Sequence, residues 1–181
     1  WHFGIDSFKH PIPELVPMNP MTAVALMSAA ISLLLLINSP QKDIRFRFGK
    51  VLALCTVVIG GLKLLLVFTG LDVGVDHWLY KSKIFNELIN NKPNRIAANS
   101  ALNFIFIGTC LLLFRSHGKQ TIYISNFLVI LTASIALLSI IGFTFGAHST
   151  SEIRPFIPMA FLTAICFLLM SIGIFCAETD R

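Results

Sequence analysis

The fold is decided by a short motif that occurs three times, as Met18-Asn19-Pro20-Met21-Thr22-Ala23, as Arg95-Ile96-Ala97-Ala98-Asn99-Ser100-Ala101 and as Ile157-Pro158-Met159-Ala160-Phe161-Leu162-Thr163-Ala164. Each copy opens an apolar run that is long enough to cross a membrane. Internal repetition at this scale indicates a protein built from repeated units rather than from one irregular core.

A glycine turn lies upstream of each copy, in Phe3-Gly4-Ile5-Asp6, in Val73-Gly74-Val75-Asp76 and in Phe145-Gly146-Ala147-His148. The recurring unit is therefore a turn, a short polar excursion, a helix start that carries a hydroxyl, and a membrane helix. The middle unit carries an insertion that includes residues 90–94, whose composition is typical of a loop.

The composition is that of an integral membrane protein, because 55% of the 181 residues are hydrophobic and only 13% are charged. A membrane-crossing helix needs about 20 residues. Five apolar stretches meet this length and predict an all-α fold, at residues 18–38, 50–70, 96–115, 121–146 and 156–177. These runs are too long and too continuously apolar to be barrel strands.

The three motif copies predict one membrane domain, residues 1–181, made of three helix-pair repeats at about 1–38, 50–115 and 121–177. Two copies are preceded by a helix, so we expect a sixth helix upstream of Trp1. Three such pairs would form a pseudo-threefold bundle. Small residues at close spacing predict tight helix contacts, in the pairs Ala25/Ala29, Ser28/Ser32, Gly60/Gly61 and Ala160/Ala164.

The basic loop at residues 38–50 indicates the orientation. It carries Lys42, Arg45, Arg47 and Lys50 against the single acid Asp43, and short loops rich in Lys and Arg are typically cytoplasmic. This places the C-terminus in the cytoplasm, with residues 178–181 beginning an exit linker.

Several function classes are disfavoured. The chain has no phosphate-binding glycine loop, nucleophile elbow or metalloprotease helix motif, so we expect no catalysis within it. The net charge of +5 is scattered over loops, which disfavours nucleic acid as a partner. The five histidines lie at helix ends or in loops, which disfavours haem, and the sequence identifies no other cofactor. The four cysteines lie inside predicted spans as small apolar residues.

One candidate ligand site consists of the turn residues Asp6, Asp76 and His148, which hold the same place in the three repeats, with His77 adjacent. They could converge on a polar ligand, or they could be hydrated loop residues that cap helix ends. His2, Asp6 and His10 are spaced four apart and are candidates for a metal site.

A second candidate site consists of Arg95, Asn99 and Asn103, which are one helical turn apart and share a face. Amides in hydrocarbon need partners, so these residues either join neighbouring helices or line a ligand cavity. We expect the equivalent hydroxyls Thr22, Ser100 and Thr163 to bond carbonyls of their own helices. Lys63 lies inside a span, where it either snorkels outward or has a buried partner; snorkelling is the favoured reading.

The middle repeat resembles a known family. It contains Gly70-Leu71-Asp72-Val73-Gly74-Val75-Asp76-His77-Trp78-Leu79 and, further on, Arg95-Ile96-Ala97-Ala98-Asn99-Ser100-Ala101-Leu102-Asn103-Phe104. These stretches, together with Phe143-Thr144-Phe145-Gly146-Ala147, resemble the MASE-like multi-helix membrane sensor modules at the N-terminus of bacterial sensor histidine kinases and diguanylate cyclases. Ala98 stands where that pattern prefers proline, and Ser100 where it has threonine.

The resemblance implies a noncatalytic sensor in the bacterial inner membrane, which passes a signal from the outer face or the membrane to a cytoplasmic output domain beyond Arg181. The expected partners are the lipid bilayer, a small-molecule ligand that the sequence does not identify, and a second copy or a membrane complex. The alternative is an accessory or structural subunit of a larger membrane complex, because five or six helices with short loops would serve that role equally.

Overall fold

A computed structural model describes residues 17–70, 88–89, 92–93, 95–116, 118–145 and 159–179. This part of the chain holds five α-helices, which are α1 (Pro20–Asn38), α2 (Ile44–Thr69), α3 (Ala98–Leu113), α4 (Lys119–Thr144) and α5 (Phe161–Thr179). Two strands of two residues each, β1 (Leu88–Ile89) and β2 (Lys92–Pro93), pair antiparallel between α2 and α3.

The prediction of an all-α membrane protein is confirmed. Four of the helices, α1, α2, α4 and α5, are long and apolar enough to cross a membrane. The third helix is apolar but has only 16 residues, so it is shorter than the predicted span 96–115. At about 1.5 Å per residue it rises roughly 24 Å.

Three inner helices and two outer helices make up the bundle. The helices α1, α3 and α5, which follow the three motif copies, contact one another. Outside them, α2 packs against α1 and α3, and α4 packs against α3 and α5. We call the end where the inner helices begin the motif end. The opposite end, with the loops at residues 39–43 and 114–118, is the short-loop end.

The second helix begins six residues earlier than predicted. The backbone N–H of Arg45 donates to the Asp43 carboxylate at 3.2 Å, so Asp43 caps a helix that starts at Ile44. Lys50, predicted to end a basic loop, therefore lies inside α2. At its other end the helix is closed by Gly70, whose φ of 67° is left-handed and suits glycine.

The closest helix contact lies between α2 and α3 and depends on one glycine from each. A Cβ at Gly60 would lie 2.6 Å from the carbonyl oxygen of Ala101, and one at Gly108 would lie 3.0 Å from that of Ala53. Neither position has room for a side chain. Of the predicted pair Gly60/Gly61, only Gly60 lies at a tight helix contact, because a Cβ at Gly61 would meet nothing within 4 Å.

The first two helices are joined by a buried hydrogen bond at the place where the sequence predicted a small-residue contact. The Ser32 hydroxyl donates to the carbonyl oxygen of Gly49 at 2.7 Å. A Cβ at Gly49 would lie 3.1 Å from Leu36, so the missing side chain is what lets the two backbones approach.

Candidate functional site

The second candidate site lies at the start of α3, and its burial increases with depth. Arg95 and Asn99 are half-buried near the motif end, and Asn103, one turn beyond Asn99 on α3, is 0% exposed. The predicted shared helix face holds for Asn99 and Asn103 but is wrong for Arg95, because α3 begins at Ala98 after the extended residue Ala97. The three residues form a polar line that runs from the motif end into the bundle.

The Asn103 amide is the most deeply buried of the three polar side chains. Neither its oxygen nor its nitrogen has a hydrogen-bond partner within the described residues. A buried polar group left without a partner costs about 1–3 kcal/mol, and most buried polar groups in proteins are paired. Of the two roles that the sequence allows, joining helices is the one that these contacts do not support.

The surroundings of Asn103 on α3 are apolar. Phe104 and Ile107 are fully buried, and the Phe104 ring meets the Phe167 ring of α5 edge to face, with 5.0 Å between centroids. The inner helices α3 and α5 are therefore packed tightly on the side of Asn103 that is further from the motif end. Asn103 therefore lies between this apolar packing and the polar residues Arg95 and Asn99 nearer the motif end.

The three equivalent hydroxyls Thr22, Ser100 and Thr163 are each at most 3% exposed. Hydroxyls elsewhere in the bundle bond the carbonyl four residues before them, including those of Thr56 and Thr132. Among the described residues, the structure shows no such bond for the hydroxyls of Thr22, Ser100 and Thr163. They add buried polar atoms to the same end of the bundle as Asn103.

The side chain of Lys63 is 6% exposed and lies on the face of α2 that also buries Gly60 and Thr56. A lysine that snorkels along the lipid-facing surface would leave its stem exposed. The observed burial therefore favours the alternative to snorkelling, in which Lys63 has a buried partner.

The first candidate site cannot be placed, because its residues lie outside the described part of the chain. These are Asp6, Asp76, His77 and His148, and the metal candidates His2 and His10 share this position. Among the described residues, no group of three or more His, Cys, Asp or Glu side chains could hold a metal ion. Convergence of the turn residues stays a prediction.

Sequence reasoning missed a cluster of cationic caps at the short-loop end. The Lys50 ammonium donates to the carbonyl oxygens of Leu111, Leu112 and Phe114 at 3.1, 2.5 and 2.8 Å. It also lies 5.2 Å from the centroid of the Phe46 ring. A cation at a helix C-terminus satisfies unpaired carbonyls and complements the helix dipole.

A second cap joins the two short loops. The Arg115 guanidinium donates to the carbonyl oxygens of Ser39 and Ile37 at 2.7 and 3.1 Å, at the end of α1. In return the Gln41 amide donates to the Arg115 carbonyl at 2.7 Å. Arg115 itself has a φ of 58°, a left-handed conformation that non-glycine residues seldom adopt.

The short-loop end also ties α5 to the bundle. The Ser125 hydroxyl of α4 donates to the Glu178 carboxylate of α5 at 2.7 Å, and the Ser125 carbonyl accepts from the Cys110 thiol of α3 at 3.5 Å. Glu178, where the sequence predicts the start of an exit linker, is the second-last residue of α5, and its carboxylate is held against α4. The linker itself stays a prediction.

Comparison of the chain with protein-family models, with curated proteins and with solved structures gives no match.

Proposed function

We propose that the bundle is a noncatalytic membrane sensor and transducer, which receives a signal at the motif end and passes it through α5 to an output domain. The observation that carries the proposal is Asn103, whose buried amide has no partner within the described residues. A group that costs stability without joining helices is expected where a ligand or a second packing of the bundle supplies its partner.

The route of the signal follows from the contacts of α3 and α5. Asn103 and Cys110 both lie on α3. The Cys110 thiol donates to the carbonyl of Ser125 on α4, and the Ser125 hydroxyl donates to the Glu178 carboxylate of α5. A shift of α3 at the motif end would therefore reach the last turn of α5 through one residue of α4. Such coupling requires the signal to favour one packing over the other.

The remaining parts of the proposal rest on the sequence. The basic character of the short loops supports a cytoplasmic position for the short-loop end, and hence for the end of α5. The likeness to MASE-like modules supports a bacterial inner membrane and an output domain of the kinase or cyclase class.

The first test is the intact mass of the polypeptide purified from its native membrane. A mass well above the 20.0 kDa of residues 1–181, with sequence that continues from Arg181 into a soluble domain, is the expected result. A mass near that value, with partner proteins in fixed ratio, would overturn the sensor and favour the accessory subunit.

The second test measures the output. In native membranes, Asn103→Cys is expected to fix the output domain in one activity state, because it removes the amide while nearly keeping the side-chain volume. The control is Leu138→Cys, on the exposed surface of α4, which should leave the response unchanged. An unchanged response in Asn103→Cys would contradict a role for this site.

A further inference from the structure

The bundle has an uncovered place on its outside. The outer helix α2 lies against α1 and α3, and α4 lies against α3 and α5. Neither of them lies between α5 and α1 in the described part of the chain, although α1 and α5 contact each other. The arrangement has two outer helices for three inner ones.

The inner helices α1 and α3 contact the outer helices α2 and α4 at equivalent positions of the repeat. Ten residues after the motif hydroxyls Thr22 and Ser100 come Ser32 and Cys110. Ser32 donates to the carbonyl of Gly49 on α2, and Cys110 donates to the carbonyl of Ser125 on α4. Equivalent positions of α1 and α3 therefore reach equivalent positions of the two outer helices.

The outer helices confirm this register through their buried residues. In α2 these include Gly49, Ala53, Thr56 and Gly60, and in α4 they are Ser125, Val129, Thr132 and Ala136. The spacing is identical in the two helices. Thr56 and Thr132 each bond the carbonyl four residues back, at 3.0 Å in both cases. Each outer helix thus buries four residues in the same order. A small residue is followed four positions later by Ala or Val, three positions later by Thr, and four positions later by a second small residue.

The face of α1 that such a helix would cover is open at one edge. On α3 the corresponding face includes Ala101, Phe104 and Ile105, and Gly60 of α2 packs against all three. The matching residues of α1 are Ala23, Leu26 and Met27: Ala23 is half-buried, Leu26 is buried, and Met27 is 63% exposed. The matching residues of α5 include Ala164, which is fully buried.

We propose that a third outer helix of the same polypeptide, preceding residue 1, packs across α1 and α5 in the way that α2 packs across α1 and α3. Each described outer helix comes directly before one of the two inner helices that it packs against, α2 before α3 and α4 before α5, which assigns the third one to the segment before α1. The described outer helices have 26 residues each, and we expect a similar length for the third. Its buried side is expected to carry the four-three-four pattern of small residues and threonine.

The test is photo-crosslinking of the full-length protein in its native membrane. A p-benzoylphenylalanine at position 27 is expected to give mainly an adduct with a peptide from before residue 1. The same probe at position 138 on α4, where Leu138 is 68% exposed, is the control and should react mainly with lipid. We expect the protein-adduct fraction at position 27 to be several-fold above that at position 138.

Any other product at position 27 would overturn the proposal. An adduct with lipid alone would mean that the face is open to the bilayer. An adduct with residues 1–181, from the same or a second copy, or with another protein would mean a different occupant. An adduct with a segment that lacks the four-three-four pattern would refute the shared register.

Discussion

Two cations at the short-loop end and one amide nearer the motif end differ in how their hydrogen bonds are satisfied, and the second carboxylate oxygen of Glu178 resembles the amide in having no partner within the described residues. At the short-loop end, Lys50 bonds three carbonyls and Arg115 bonds two. At the motif end, the Asn103 amide is fully buried and has no partner within the described residues. Paired groups stabilise one packing, whereas an unpaired group is satisfied only when something else binds or moves. The difference indicates that the two cations stabilise one packing of the helices, whereas the proposed sensor role assigns the response to the region around Asn103.

The largest expected effect comes from removing the Lys50 cap. Lys50→Met keeps the long stem but leaves carbonyls at the end of α3 unpaired, and we expect a loss of about 3 kcal/mol in the free energy of unfolding. The measurement is an unfolding titration in mixed micelles. Lys42→Met, at an exposed loop position, is the matched control. Equal stability of the two variants would show that the short-loop end is not fixed by this cap.

A substitution at Gly60 tests whether close packing against α3 stabilises the half of α2 nearer the motif end. Gly60→Ala places a methyl group against the Ala101 carbonyl, so α2 and α3 must separate, and we expect a loss of about 2 kcal/mol. Gly61→Ala is the control, since its Cβ meets nothing within 4 Å. The neighbouring control should be neutral or slightly stabilised, because alanine favours helix over glycine. A loss in both variants would point to a general intolerance of the helix instead.

Removing the Asn103 amide should stabilise the protein. Asn103→Cys is close in volume and places there the residue that α5 has at the matching position, Cys166. We expect a gain of about 1 kcal/mol in the free energy of unfolding, since the unpaired amide no longer has to be buried. Asn99→Cys, at a half-buried position, should change little. A loss in Asn103→Cys would show that the amide has partners and would remove the contrast between the ends.

The smallest effect concerns the tie between α4 and α5. Ser125→Ala removes one hydroxyl bond to Glu178, and we expect a loss near the roughly 0.6 kcal/mol average for such bonds in membrane helices. A double-mutant cycle with Glu178→Gln isolates the pair. A coupling energy indistinguishable from zero would mean that Ser125 does not hold α5.

The helices of this bundle could be predicted because hydropathy and length decide them directly. The common face of Asn99 and Asn103 followed from helical spacing, since side chains four residues apart lie on one side. Arg95 was wrongly included, because the helix begins only at Ala98. The start of α2 was missed although Asp43 carries the usual capping signal, because the nearby basic residues were interpreted as loop. A closer reading of that signal could have found it.

The roles of Lys50 and Asn103 could not be predicted in the same way. The partners of Lys50 lie at Leu111 to Phe114, and only packing of α2 against α3 brings them within reach. The missing partners of Asn103 depend on what the neighbouring helices present to it. Both features are tertiary, and a sequence spacing within one helix carries no information about them.

The Lys50 cap also has a consequence for biosynthesis. The nearest of its acceptors in sequence, Leu111, follows 61 residues later. At roughly 5–20 residues per second, the ribosome needs several seconds to produce that acceptor. Throughout that interval the ammonium must stay hydrated at the membrane surface, which keeps the start of α2 at that surface until α3 arrives.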